Sequence, residues 1–197
     1  PVGVCGSGII DIICKMMISG IVDRRGKINK ELKNKRIRFN EHDIGEYVLA
    51  FKEEYNIEND ISVNEVDIDN FIRAKGAIYS GASILIESLG MDFSVIDKVL
   101  IAGGIGNSLD IENSIMIGLL PDIDRDKFDY IGNSSLIGSY LTLISNDAKD
   151  KLEEIGDQLT YVELSVYPTY MDEFISCCFL PHTNIEQFPS VKNILGE

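Results

Sequence analysis

Three glycine-rich stretches hold the residue types that could let a ligand close to the main chain. In VLIAGGIGNS (99–108) an apolar run leads straight into Gly103-Gly104. A backbone without Cβ atoms admits close approach, and ligands of open α/β sheets lie beyond the carboxyl ends of strands. The same residues would also make a tight strand-to-loop turn. In GVCGSG (3–8), Gly6, Ser7 and Gly8 precede an apolar run. The first N–H groups of a helix starting there could cradle an oxyanion; a Gly-Ser-Gly triplet is equally a common turn. In RAKGAIYSG (73–81), Lys75, Gly76, Ser80 and Gly81 interrupt an apolar period, although glycine in a helix costs about 1 kcal/mol relative to alanine. A ligand or a neighbouring helix passing close would explain the glycines. Lys75 taken alone reads as a solvated surface residue. No GxxxxGK[ST] motif occurs, and GGIGNSLD lacks the third glycine of a dinucleotide fingerprint.

Other reactive residue types carry weaker patterns. Cys5, at a helix N-terminus, could have a lowered pKa. Cys177-Cys178 beside Phe174 and Phe179 reads as core packing. His42 and His182 stand far apart with no partner pattern, which suits surface positions. Asp43-Ile44-Gly45 has the look of a phosphate hairpin but follows no good strand. Asp11 is the nearest carboxylate to the glycine turn.

The elements that must position these residues alternate. A helix runs from Ser7, the expected N-cap, to a stop at Gly20, and 21–28 is a turn. Residues 29–60 read as an irregular, partly β insertion, with strand candidates at 36–40 and 46–52 and a further short strand at 61–63. Asn64 caps a long helix reaching Gly90, its apolar side carried by Val66, Ile68, Phe71, Ala74, Ile78, Ile84 and Leu85. Residues 98–104 form a short buried strand, 110–119 a helix, 128–131 a strand, 133–145 and 146–157 helices, 161–167 a strand and 170–179 a last helix before a Pro-containing tail. The class is therefore α/β.

With 197 residues and 45% hydrophobic content, the chain can build a core. No apolar run reaches the roughly 20 residues of a membrane span. Four cysteines without metal-ligand spacing suit a reducing cytoplasm. A net charge of −14 argues against nucleic acid or an anionic membrane as partner. The chain starts at Pro1, as expected of a fragment of a longer one.

Taken in order, GVCGSGIIDI, IRAKGAIYSGASILIESLG, VLIAGGIGNSLDIENSIMIGLLPDI, YIGNSSLIGSYLTLIS and ELSVYPTYMDEFISCCFLPHT resemble the C-terminal ATPase domain of reductive activators of corrinoid proteins. That domain belongs to the acetate-and-sugar-kinase, heat-shock-chaperone and actin superfamily. The resemblance covers nearly the whole chain and is weakest over 29–60. It implies an actin-like (ribonuclease-H-like) α/β fold, a mixed sheet flanked by helices, with 1–197 as the C-terminal part of the ATPase domain and 29–60 an insertion. GVCGSG resembles the glycine turn after the second phosphate hairpin. RAKGA resembles the adenosine-contacting helix, with Lys75 at its basic position and Ile72 where the family often has a carboxylate. VLIAGGIGN resembles the adenosine motif, and NSSLIGSYL the small-residue hinge helix, in which Gly132, Ser135 and Gly138 would allow close helix approach. The implied nucleotide-binding set is Gly6, Ser7, Gly8, Lys75, Gly103, Gly104, Gly106 and Asn107, with no catalytic residue and no metal ligand assigned. The implied activity uses ATP and Mg to return a corrinoid protein from Co(II) to Co(I). Its electrons come from an iron–sulfur cluster in another domain, so this piece alone would be inactive. The expected partner is the corrinoid protein, with a homodimer possible. The alternatives are a small-molecule kinase of the same superfamily and a non-catalytic docking or dimerisation module.

Overall fold

The computed structural model of the protein describes residues 1–196. Helix α1 (Gly6–Ile18) has Cys5 at its N-cap, two residues before Ser7, and ends where Gly20 turns left-handed at φ +68°. It buries Ile10, Ile13, Cys14, Met16 and Met17. The following turn closes through an antiparallel bridge of Val22 with Ile28. Strands β1 (Ile37–Phe39), β2 (Gly45–Ala50) and β3 (Ile61–Asn64) form an antiparallel sheet in that order, with helix α2 (Lys52–Tyr55) between the last two. Residues 37–64 thus form an ordered sheet, where the polar sequence of 29–60 suggests irregularity. Arg36 and Arg38 tie it together: Arg36 donates to Glu54, and Arg38 donates to Glu46 and Asp60.

Helix α3 (Glu65–Glu87) starts at a capping box in which Asn64 accepts from Val66 and Asp67 N–H while Asp67 accepts from Asn64 N–H. Its buried stripe is Ile68, Ile72, Lys75, Gly76, Tyr79, Ser80 and Ile84. Val66, Ala74, Ile78 and Leu85, expected on that side, are exposed. The stripe packs mainly on α8 (Tyr170–Cys177), and Gly76 permits this because a Cβ there would meet the Cys177 carbonyl oxygen at 3.3 Å.

Strands β4 (Val99–Ala102) and β5 (Phe128–Gly132) pair in parallel as a separate two-stranded sheet. β4 is not the buried strand expected: its inner face carries Val99 and Ile101, whereas Leu100 is 57% exposed. Between them lie α4 (Gly103–Gly106) and α5 (Ile111–Met116), the latter capped by Asp110. Helices α6 (Ser134–Ile144) and α7 (Asn146–Gln158) form a hairpin with no buried residue. No atom lies within 4 Å of a Cβ built at Gly132 or Gly138, so neither glycine serves a close helix contact among the described residues. The expected strand at 161–167 is instead a 3-10 turn, Leu164–Val166, because Glu163 accepts from both the N–H and the hydroxyl of Ser165. The tail is part of the core. Leu180, Phe188 and Val191 are fully buried, and α9 (Pro189–Leu195) closes the chain. No helix among the described residues is long and apolar enough to cross a membrane.

Candidate functional site

The first-turn amides of α1 have no intrahelical acceptor and sit at the positive end of the helix dipole. Gly6 and Ser7 belong to that first turn. Cys5 Sγ lies 3.5 Å from Ser7 Oγ, and this contact, with the Gly8 N–H, pulls the exposed Cys5 thiol below its ordinary value. A Cβ on Gly8 would crowd Cys5 Sγ and Val4 at 3.2 and 3.3 Å.

The strand-end glycines come to the same place. A Cβ on Gly6 would lie 3.6 Å from Ile105 Cδ1, so the turn and the loop, far apart in sequence, abut. Gly103 adopts φ +90°, which β-carbon sterics disfavour. No atom lies within 4 Å of a Cβ built at Gly103 or Gly104, which leaves their backbone open. Asn107 is exposed beside them. Gly106 differs: it is buried, and a Cβ there would meet Ile101 at 2.8 Å. Packing of α4 on its own strand accounts for that glycine.

Behind the turn, Asn113 links α1 to α5. Its Nδ2 donates to Asp11 Oδ1 at 2.6 Å, and Cys14 Sγ donates to its Oδ1 at 3.2 Å. Asp11 is therefore engaged in holding the two helices together.

Lys75 is a correction. It is 1% exposed, not solvated, and its Nζ donates to the carbonyls of Phe179 and Pro181, both at 2.5 Å. Arg24 donates to the alternate carbonyls of Leu180 and His182 at 3.1 and 2.6 Å. Four successive carbonyls are thus gripped by two basic side chains, and Lys75 has no open position from which to meet a nucleotide. Burial pulls Lys75 down to about 7.

His182, expected at the surface, is 2% exposed. It lies with Cys177 and Glu173 in a cluster whose spacing could suit a metal. The donor chemistry does not fit one. His182 Nδ1 accepts from the Asn184 N–H at 3.0 Å, which places the ring proton on Nε2. Nε2, lacking any hydrogen-bond partner among the described residues, faces Glu173 Oε1 at 3.8 Å. Burial pushes the Cys177 thiol up to about 12. Two protonated groups therefore face one carboxylate, and the contact with His182 holds Glu173 below its ordinary value. No sequence spacing announced this cluster, since His182 arrives from the tail after α8.

The first-turn amides of α1 that lack an intrahelical acceptor and the uncovered backbone of Gly103 and Gly104 are features that a nucleotide's phosphate and sugar-base could use. No residue is assigned to magnesium.

Residues 1–192 match the family described as the C-terminal domain of RACo, the ASKHA domain. A curated relative, the corrinoid activation enzyme RamQ of Eubacterium limosum, is 31% identical over 182 residues, which is 89% of this chain and 30% of the relative. A solved structure, that of a reductive activator for corrinoid,iron-sulfur protein, superposes with a TM-score of 0.89 at 48% identity over 97% of this chain and 30% of the other. The chain thus spans 30% of the length of each.

Proposed function

The chain belongs to the family of RACo C-terminal, ASKHA domains, and from that premise we propose that it forms the C-terminal part of the nucleotide-binding domain of an ATP-dependent reductive activator of a corrinoid protein. One observation carries the reading: the N-terminal turn of α1 abuts the Gly103–Asn107 loop, in which the backbone of Gly103 and Gly104 is uncovered. Phosphates lie at the amides of Gly6, Ser7 and Gly8, and the adenosine passes over Gly103, Gly104 and Asn107. Gly106 supports the loop through packing. Lys75 falls out of the set because its amine is buried on the 179–182 carbonyls.

In this reading the bound nucleotide selects one closure state of the cleft. It shifts a partner's equilibrium only by its differential affinity for the two states. The cobalt reduction, Co(II) to Co(I), draws its electron from an iron–sulfur cluster elsewhere in the activator. The corrinoid protein is the partner, and residues 29–60 are an accessory sheet of the domain.

Calorimetric titration of ATP–Mg into the chain and into its Gly104→Val variant tests the placement. A valine there meets no protein atom near its Cβ, so the fold is expected to survive while nucleotide binding is lost. Undiminished binding by a folded Gly104→Val protein would remove the adenosine from this loop.

A further inference from the structure

The two parts of the proposed nucleotide site come from segments far apart in sequence, and their direct contact is apolar. A Cβ built at Gly6 lies 3.6 Å from Ile105 Cδ1. Apolar contact is non-directional, so it does not by itself fix how far apart the two surfaces sit or how they are turned.

Asn113 supplies the direction. Its side chain makes the polar side-chain link between α1 and the α4–α5 segment, the one such link among the described residues. Nδ2 donates to Asp11 Oδ1 at 2.6 Å, and Oδ1 accepts from Cys14 Sγ at 3.2 Å. The amide can face only one way. An ionised carboxylate accepts and does not donate, so Asp11 must meet the NH2 group. Cys14 is fully buried and burial keeps its thiol protonated, so it must meet the oxygen. Asp11 and Cys14 stand three residues apart on one side of α1. Gripped at two points, the helix has both its distance and its rotation set.

The same residue reaches the adenosine loop. Its backbone N–H donates to Asp110 Oδ1 at 2.8 Å, and the Asp110 carbonyl accepts from the buried Ser114 hydroxyl at 2.6 Å. Leu109, the residue before, donates its N–H to the Gly106 carbonyl at 3.1 Å and accepts from the Tyr130 hydroxyl of β5 at 2.5 Å. The loop is thus pinned from Gly106 to Asn113, and Asn113 carries that position across to Asp11, three residues after Gly8.

A ligand that spans two subsites binds more tightly than its separate parts, because binding of one part presents the other at a high effective concentration. That gain lasts only while the spacing is held. On the nucleotide placement given above, we propose that Asn113 is the positioning residue that holds the phosphate-binding turn of α1 at a fixed distance from the adenosine loop. Through it the site favours an intact nucleotide over adenosine or polyphosphate alone. Asn113 acts through Asp11 and Asp110, not by touching the ligand.

Calorimetric titration of ATP–Mg, adenosine and tripolyphosphate tests this in the parent, Asn113→Ala, Asp11→Ala and Asp11→Asn, each first shown to be folded by its melting curve. Asn113→Ala is expected to weaken ATP–Mg about tenfold and each separate part less than about twofold. The two Asp11 variants lose the same charge, but asparagine keeps an oxygen for Asn113 Nδ2. Asp11→Ala is therefore expected to bind ATP–Mg about tenfold more weakly than Asp11→Asn, which should restore at least the parent affinity. A parent that binds no ATP–Mg would overturn the nucleotide placement and this inference with it. Where the parent binds, three results would overturn the positioning role alone. These are parent-like ATP–Mg affinity in Asn113→Ala, equal loss there of ATP–Mg and of its separate parts, or equal ATP–Mg affinity in the two Asp11 variants.

Discussion

At the scale of single residues, Lys75 decides more than any other side chain. Its pKa in the fold is about 7, against an ordinary 10.5. Between those values the unfolded chain holds a proton that the folded chain lacks, so stability rises with pH there. The slope approaches about 1.4 kcal/mol per pH unit where the difference nears one proton. Burial pushes Cys14 and Cys177 the other way, to about 11 and about 12 from 9.0. Above about pH 9 the unfolded thiols ionise first and stability falls again. Denaturant melts from about pH 7.5 to about pH 8.5 should therefore show rising stability in the parent protein, and Lys75→Met should flatten that rise. An identical slope in both would mean that Lys75 is charged in the fold. The thiols give a second readout. Cys5 is exposed with a lowered pKa, whereas Cys14 and Cys177 are fully buried with raised ones. Iodoacetamide at neutral pH should modify Cys5 first, and peptide mapping that found Cys177 first would contradict the burial. The sequence suggested the reactivity of Cys5 because a helix start is a local feature. It misplaced Lys75 and His182 because both owe their burial to residues 179–184, a segment whose return to the core no local pattern encodes.

At the scale of elements, boundaries set by local chemistry were readable and faces set by packing were not. Asn64 followed by Asp67 announces a capping box, and α3 starts there. Asn64→Ala should cost about 1 kcal/mol in a denaturant melt, because two first-turn amides lose their acceptor. The buried face of α3 was misjudged because its stripe passes through a lysine, which a hydrophobicity pattern assigns to water. The supposed strand at 161–167 has alternating apolar residues, yet no sheet edge receives it, and Glu163 turns the chain locally. A tighter constraint lies where the tail returns. Gly118 has φ +74°, and a Cβ there would come within 2.2 Å of the Pro181 carbonyl oxygen. That same carbonyl accepts from Lys75, so it cannot move without uncovering a buried amine. Gly118→Ala combines a strained backbone with an overpacked core. It should destabilise the chain by about 3–5 kcal/mol, read as a shifted denaturation midpoint. A loss below about 1 kcal/mol would show that the 179–182 segment yields freely.

At the scale of the whole molecule, the packing is uneven. One continuous core joins α1, α3, α5, α8 and the tail through residues such as Ile13, Ile68, Ile115, Leu180 and Phe188, all fully buried. The β4–β5 sheet meets it along one face, whereas α6 and α7 bury no residue and touch mainly each other. Leu136, Tyr140 and Leu143 stand more than half exposed on α6. The α/β class was legible because helix and strand periods alternate along the chain. This division was not, because α6 reads in sequence like a core helix, with mean composition as apolar as that of α1. Local opening free energy follows buried apolar contact, so the two halves should separate in hydrogen exchange. Amides of α1, α3 and α8 should exchange only through global unfolding, with protection that tracks the stability measured by denaturant. Amides of α6 and α7 should exchange through local opening, orders of magnitude faster and insensitive to low denaturant. Substituting Leu143, 84% exposed, with serine should leave global stability within about 0.5 kcal/mol, as a surface change does. If α6 were instead protected as strongly as α3, and Leu143→Ser lowered global stability by more than that, the hairpin would be packed against a surface of its own, and a second copy of the chain would be the first candidate to supply it. Sedimentation of the same samples across a range of concentrations would then show the association directly.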